Sequence, residues 1–201
     1  MHNMDTKLDT REALIESMRD LLWERGYVGT SPKAVLNRSG VGQGSMYHHF
    51  SGKAELARAA IQRSAESLQA LAEERLSVPG TAIDKITSFL QRDRDVLRGC
   101  QVGRLTQDPE VIKNEMLRQP LADAFENIRR QLVAVLAQGV ARQELHEDLD
   151  VNGTAEFILS SLQGGYVLSR AANSDAPFRK TISGLLSILH GAQIAGYANR
   201  A

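Results

Sequence analysis

Apolar residues recur at helical spacing along most of the chain, and alternating runs of the β type are few. Leu14, Met18, Leu21 and Leu22 fall at i, i+4, i+7 and i+8, which makes one apolar face of an amphipathic helix. Asp9 or Thr10 can cap it, Glu12 stands in capping-box register with Asp9, and Gly26 ends it. Between Thr30 and Lys53 the pattern contracts to two short helices and a tight turn. Ser31 is placed to cap the first, with Pro32 at its first position, Val35 and Leu36 as apolar contacts and Gly40 as a left-handed stop. Val41 is expected as a buried turn residue. The second helix then starts near Gly42 or Gln43, with Met46 and Phe50 facing inward. Gln43, Ser45, Tyr47 and His48 are left pointing outward, rich in hydrogen-bonding groups and poor in acids.

A fourth helix opens at Lys53, after Ser51 and Gly52, and runs to about Leu76 with Leu56, Ala60, Leu68, Leu71 and Ala72 on its apolar side. It is too long to serve only a small head and is expected to act as a lever. Pro79-Gly80 breaks the pattern. A fifth helix is predicted from Ala82 to about Arg98, carrying Ile83, Ile86, Phe89, Leu90 and Leu97. Gly99 and Gly103 interrupt it, and Asp108-Pro109 marks a turn. A segment with Val111, Ile112, Met116 and Leu117 leads to Pro120, expected in the first turn of the helix that carries Leu121, Phe125, Ile128, Leu132, Val135, Leu136 and Gly139.

Asp150 can cap the next helix, which is apolar nearly all round from Phe157 to Leu168. The last helix is expected from about Pro177 to Ala198. Helices apolar on two sides need two covers, the chain's own core and a partner. Small residues at Ser160, Ser161, Gly164, Gly165, Gly184 and Gly191 would let backbones approach closely. A twofold, four-helix homodimer interface is therefore expected, through Phe157, Ser161, Gly164, Gly165, Leu168, Ile182, Leu185 and Leu189. A plain intrachain core is the alternative.

Composition agrees with an all-α fold: 201 residues, 42% hydrophobic, with only 5% aromatic. The single cysteine, Cys100, excludes an internal disulfide framework and fits a reducing compartment. The polar N-terminus lacks the apolar core of a signal peptide, and the longest apolar run, Leu132 to Ala137, is too short for a membrane span. A cytoplasmic protein with no membrane partner is expected. Basic and acidic residues balance at 24 each, yet from Arg25 to Arg63 six basic residues face the single acid Glu55. Such a basic island around a polar helix suits a polyanion.

Gly26-Tyr27, Thr30-Ser31, and then Ser39-Gly40-Val41-Gly42, Gly44-Ser45-Met46-Tyr47-His48-His49-Phe50, Gly52-Lys53 and Leu56 stand in an order that resembles the N-terminal domain of TetR-family transcriptional regulators. Pro32, Leu36 and Gly42 depart from that pattern, which usually has an aliphatic residue, Ala, and a Ser or Thr cap there. The resemblance implies a helix-turn-helix over residues 1–55 whose second helix enters the major groove. It places Thr30, Tyr47, His49 and Lys53 on phosphates and Gln43, Ser45 and His48 nearest base edges, with Ser31 and Gly44 completing the DNA-facing set. Residues 56–201 would form a helical ligand-binding and dimerisation domain. Its pocket, between Ala82 and Tyr166, is assigned the lining Phe89, Leu97, Cys100, Met116, Phe125, Ile128, Leu132, Leu162 and Tyr166. With Gln101 and Gln163 nearby, such a cavity suits a hydrophobic or amphipathic small molecule. Gly99-Cys100-Gln101-Val102-Gly103 is also similar to the start of a helix in one C-terminal subgroup.

Competing classes have less support. His2, His48, His49, His146 and His190 show no metal-ligand spacing, so neither a metal, a cofactor nor an enzyme is expected. An architectural DNA binder needs no second domain of roughly 140 residues. Cys100 can be read as a small buried hydrophobe or, between Arg98 and Arg104, as a reactive thiolate; the first is the expectation. The chain is thus expected to be a repressor, acting as a homodimer on near-palindromic operator DNA and answering an unidentified small-molecule effector.

Overall fold

A computed structural model describes residues 2–194, with side chains from Thr10 onward. Among these residues the order is α1 (His2–Arg25), α2 (Pro32–Ser39), α3 (Gln43–His49), α4 (Lys53–Leu76), α5 (Ala82–Gln91), a 3₁₀ turn (Gly103–Gln107), α6 (Pro109–Lys113), α7 (Glu115–Ala141), α8 (Val151–Ala172) and α9 (Ala176–Gly191). The fold is all-α, as expected. Several ends differ from the sequence pattern. Helix α1 begins at His2, so Asp9 and Thr10 lie inside it rather than at its cap. Helix α5 stops at Gln91, well before Arg98, because Arg94 folds back on it: its Nη2 donates to the Phe89 and Leu90 carbonyls at 2.8 and 2.9 Å. These are last-turn carbonyls that would otherwise lack a partner. Helix α7 starts at Glu115, with the Asn114 side chain accepting from the Met116 amide at 3.1 Å, so Pro120 sits inside it rather than at its first turn. The expected end of the last helix at Ala198 lies outside the described residues.

The helices sort into two compact units that do not follow a boundary between residues 55 and 56. One joins residues up to 67 with 101–124, and the other joins 68–100 with 125 onward. In the first, Leu14, Met18, Leu21 and Leu22 of α1 are buried with Val35, Met46, Phe50, Leu56 and Ile61. Ser31 caps α2 by accepting from the Ala34 amide at 3.1 Å, and Gly40 ends it at φ 69°. Val41 is half-buried rather than buried.

In the second unit α8 and α5 both pack against α9. Ile83, Ile86, Phe89, Leu90, Ile158, Leu162, Phe178, Ile182, Leu185 and Leu189 fill this core. Ile182, Leu185 and Leu189 therefore belong to the chain's own core, and the expectation that they form a dimer surface is corrected. Gly165 is likewise buried, its missing Cβ 3.0 Å from Phe178. Phe157 and Leu168 remain exposed beside Val167 and Ile188, and Gly164, Gly184 and Gly191 open onto empty space. The N-terminus of α5 is fixed by Glu144, whose buried carboxylate accepts from the Ala82 amide at 2.6 Å, and by a Thr81–Asp84 capping box. The α5 start and the loop after α7 meet over Gly139, where a Cβ would stand 2.7 Å from the Ala82 Cβ and 2.9 Å from Leu145. Gly139→Ala should therefore overpack this junction and destabilise the fold by about 1–3 kcal/mol despite the better helix propensity of Ala. A melting temperature equal to or above the parent's would contradict this.

Candidate nucleic-acid interface

Helix α3 is seven residues long, and its orientation comes from what surrounds it. Met46 and Phe50 anchor it inward, and the Phe50 amide donates to the Met46 carbonyl at 2.9 Å. Gly42 caps its N-terminus without a side-chain hydrogen bond. Gln43, Gly44, Tyr47 and His48 are exposed, and Ser45 and His49 are half-buried. The His48 and His49 rings meet edge-on at 5.2 Å. No acid occurs on α3, so its outer face offers amide, hydroxyl, phenol and imidazole groups only.

Two residues assigned to phosphates stand differently. Thr30 is 1% exposed, its hydroxyl donates to the Gly26 carbonyl at 2.7 Å, and its amide donates to the Tyr27 carbonyl at 3.1 Å. Both donors are engaged inside the turn, which withdraws Thr30 from a phosphate. Lys53 is half-buried; its ammonium donates to the Tyr27 carbonyl at 2.7 Å and lies 3.9 Å from the Tyr27 ring centroid. Burial lowers its pKa, opposed by the charge of Asp108.

Asp108 is the residue that sequence reasoning missed. One of its carboxylate oxygens accepts from the Tyr27 and Val28 amides at 2.8 and 3.0 Å; the other caps α6 through the Glu110 and Val111 amides at 3.1 and 3.4 Å. Gly26 is required at this contact: its φ is 75°, and a Cβ would stand 3.0 Å from the carboxylate. Arg104 adds a hydrogen bond to the Trp23 carbonyl at the end of α1. Asp108-Pro109 was legible as a turn, but nothing local marks that one carboxylate oxygen reaches a turn some 80 residues away.

The basic island is also partly a brace. Arg38 forms a two-point pair with Glu24 at 2.8 and 2.9 Å, and Arg63 reaches Glu12 at 2.8 Å and Glu16 at 3.3 Å. Hydrogen bonding to Glu24 raises the pKa of Arg38, and hydrogen bonding to Glu12 does the same for Arg63. Glu55 accepts from the Ser51 amide at 2.7 Å, ahead of α4, and that bond lowers its pKa.

The residues assigned to an effector pocket scatter. Phe89, Cys100, Ile128, Leu132, Leu162 and Tyr166 are buried, Phe125 is half-buried, and Leu97 and Met116 are exposed. Met116 belongs to the unit that carries α3. The second unit does contain an open cleft of about 680 Å³, lined among others by Leu90, Arg92, Arg94, Phe178, Ile182 and Leu186, none of them in the expected set. Among the described residues no group of three or more His, Cys, Asp or Glu is placed to hold a metal, and no helix is long and apolar enough to cross a membrane.

A short capped helix, a glycine turn and a second helix with a polar, acid-free outer face define a helix-turn-helix DNA-binding protein. Residues 14–60 match the model for bacterial regulatory proteins of the tetR family, and residues 80–185 match the tetracyclin repressor-like C-terminal domain. The chain belongs to the TetR family of DNA-binding transcriptional regulators. It is 24% identical to the Bacillus subtilis HTH-type regulator YxaF over 181 residues, covering 87% of this chain and 92% of that one. It is 26% identical to the Escherichia coli K12 HTH-type transcriptional repressor NemR over 194 residues, covering 93% and 94%. A TetR regulator from Chloroflexus aurantiacus superposes with a TM-score of 0.83 at 24% identity, over 92% of this chain and 96% of that one.

Asp108→Ala removes an N-cap and leaves the Tyr27 and Val28 amides without their acceptor. A stability loss of about 2–3 kcal/mol is expected in urea unfolding, with Asn restoring part of it. An Ala variant as stable as the parent would show that Asp108 is not what holds the turn.

Proposed function

We propose that this chain is a repressor that binds a near-palindromic operator as a homodimer in the cytoplasm and is released by a small-molecule effector. The observation that carries the proposal is the outer face of α3, where Gln43, Tyr47 and His48 are exposed while Met46 and Phe50 hold the helix from beneath. The name of NemR, a repressor 26% identical over nearly the whole chain, supports repression. The chain is read as a binding protein and not as an enzyme.

Gln43, Ser45 and His48 would lie nearest base edges. Tyr47, His49 and Lys53 would meet phosphates, with Lys53 using donors beyond the one engaged by Tyr27. Phosphate contacts position the protein and base contacts specify the sequence. Dimerisation would use the exposed face of α8 and α9, where Phe157, Leu168 and Ile188 flank Gly164 and Gly184, with Ser161 half-buried at its edge. The two recognition helices would then stand about 34 Å apart, one turn of DNA. The effector must prefer the state that binds DNA poorly, since a ligand shifts an equilibrium only by its differential affinity.

Gln43→Ala should cost roughly 1–3 kcal/mol on the preferred operator and relax its sequence preference. Lys53→Ala should weaken binding to every sequence and reduce the salt slope by about one. An unchanged preference after Gln43→Ala would remove it from the reading set. Gly164→Leu, placed where no neighbour of the same chain stands within 4 Å, should leave the protomer folded but yield monomers with poor operator affinity. Sedimentation of the parent as a monomer at micromolar concentration would end the dimer proposal.

A further inference from the structure

Where α5 ends, the second unit gathers three arginines with little negative charge to balance them. Arg94 is committed: Nη2 holds the Phe89 and Leu90 carbonyls, Nε donates to the Arg92 carbonyl at 3.2 Å, and Nη1 donates to the Tyr166 hydroxyl at 3.2 Å. Its guanidinium also stands 5.2 Å from the Phe178 ring centroid. Arg92 is not committed. Its Nε is buried with no hydrogen-bond partner, and among the described residues its side chain makes no ion pair. The Nε of Arg75 is buried and unpartnered as well, and among the described residues its side chain ion-pairs only with Glu74, at 3.6 Å. Burial lowers the pKa of Arg92, and the charges of Arg94 and Arg75 lower it further.

A half-buried cation facing two like charges is unfavourable for folding alone. Unpaired buried charges collect at binding sites, where a ligand supplies the missing partner. Arg92 and Arg94 line the cleft of about 680 Å³, whose apolar wall is Leu90, Phe178, Ile182 and Leu186. Of the acids on its rim, Asp175 is already paired with Arg179, and Asp93 forms no ion pair with Arg92 or Arg94. The buried Tyr166 hydroxyl accepts from Arg94 and helps hold that side chain at the cleft.

We propose that Arg92, backed by Arg94 and Arg75, is an anion subsite at this cleft, and that the effector is an amphipathic organic anion, a carboxylate on an apolar body. The inference rests on the effector-controlled function proposed above. The guanidinium would take the carboxylate at two points, and the apolar body would lie along Phe178, Ile182 and Leu186.

The test is calorimetric titration of the full-length protein with decanoate, decanol and inorganic phosphate, alongside operator binding by fluorescence anisotropy. Decanoate should bind saturably at one per protomer, with decanol and phosphate each at least about tenfold weaker, because each lacks one half of the recognition. Arg92→Met should lose about tenfold in decanoate affinity, with Arg92→Lys between the two. The Met variant should also melt at or above the parent temperature, since it removes an unpaired charge; a merely structural arginine would lower the melting temperature when replaced. Equal binding of decanol, equal binding of phosphate, or indifference to Arg92→Met would each overturn the subsite. So would a change of oligomeric state in the Met variant, which would assign the cleft to a second copy of the chain. Operator binding without any decanoate binding would overturn the subsite and leave the regulator standing. Saturable, Arg92-dependent decanoate binding that leaves operator affinity unchanged would keep the anion subsite and overturn its role as the effector site.

Discussion

The turn from Gly26 to Thr30 is the constraint on which the DNA-facing surface depends. Helix α3 is too short to hold itself together, because helix nucleation is costly and pieces of this length are marginal in water. Its position is inherited from α1, α2 and α4, and these meet at that turn. Asp108 holds two amides of the turn, Lys53 holds the Tyr27 carbonyl, and Thr30 closes it from within. Asp108 opens α6 and Lys53 opens α4, so one five-residue turn is gripped by the first turns of two other helices. A rigid shelf for α3 follows, along with the grouping of residues 101–124 in the same unit as the helix-turn-helix.

Charge plays opposite parts in the two units. Around the helix-turn-helix, Arg38 and Arg63 are paired to α1 carboxylates at the surface, where each pair is worth about 0–1 kcal/mol and acts mainly to fix orientation. Among the described residues Arg25, Lys33 and Arg58 form no ion pair there, which leaves their charge available to a polyanion. At the end of α5 the arrangement is reversed: Arg92 and Arg75 are partly withdrawn from water with unpartnered Nε atoms, and among the described residues Arg92 pairs with no carboxylate while Arg75 meets Glu74 at 3.6 Å.

Much of the first unit was legible in the sequence because its signals are local. Ser31-Pro32, Gly40 and the Met46–Phe50 spacing each act over one or two turns, and each forms as its spacing predicts. What escaped was carried by individual side-chain hydrogen bonds, near and distant in sequence, that apolar periodicity does not report. Thr30 has the chemistry of a phosphate ligand, but its hydroxyl is turned inward by a carbonyl of its own turn. The end of α5 depends on Arg94 curling back, which the apolar stripe up to Leu97 does not report. Periodicity marked α8 and α9 as apolar on more than one side, yet it could not separate Ile182 and Leu185, which face the core, from Phe157 and Ile188, which do not. The cleft combines the charged Arg92 and Arg94 with Phe178, Ile182 and Leu186 of α9, which lies outside the span from Ala82 to Tyr166 where an apolar lining was expected.

The central claim, a twofold reader of DNA built on α3, is tested most directly by selecting bound fragments from a random DNA pool and footprinting the winner. The account predicts an inverted repeat, protected on two successive major-groove faces about one helical turn apart and occupied by two protomers. Recovery of fragments without shared sequence, or of a single asymmetric site holding one protomer, would contradict it.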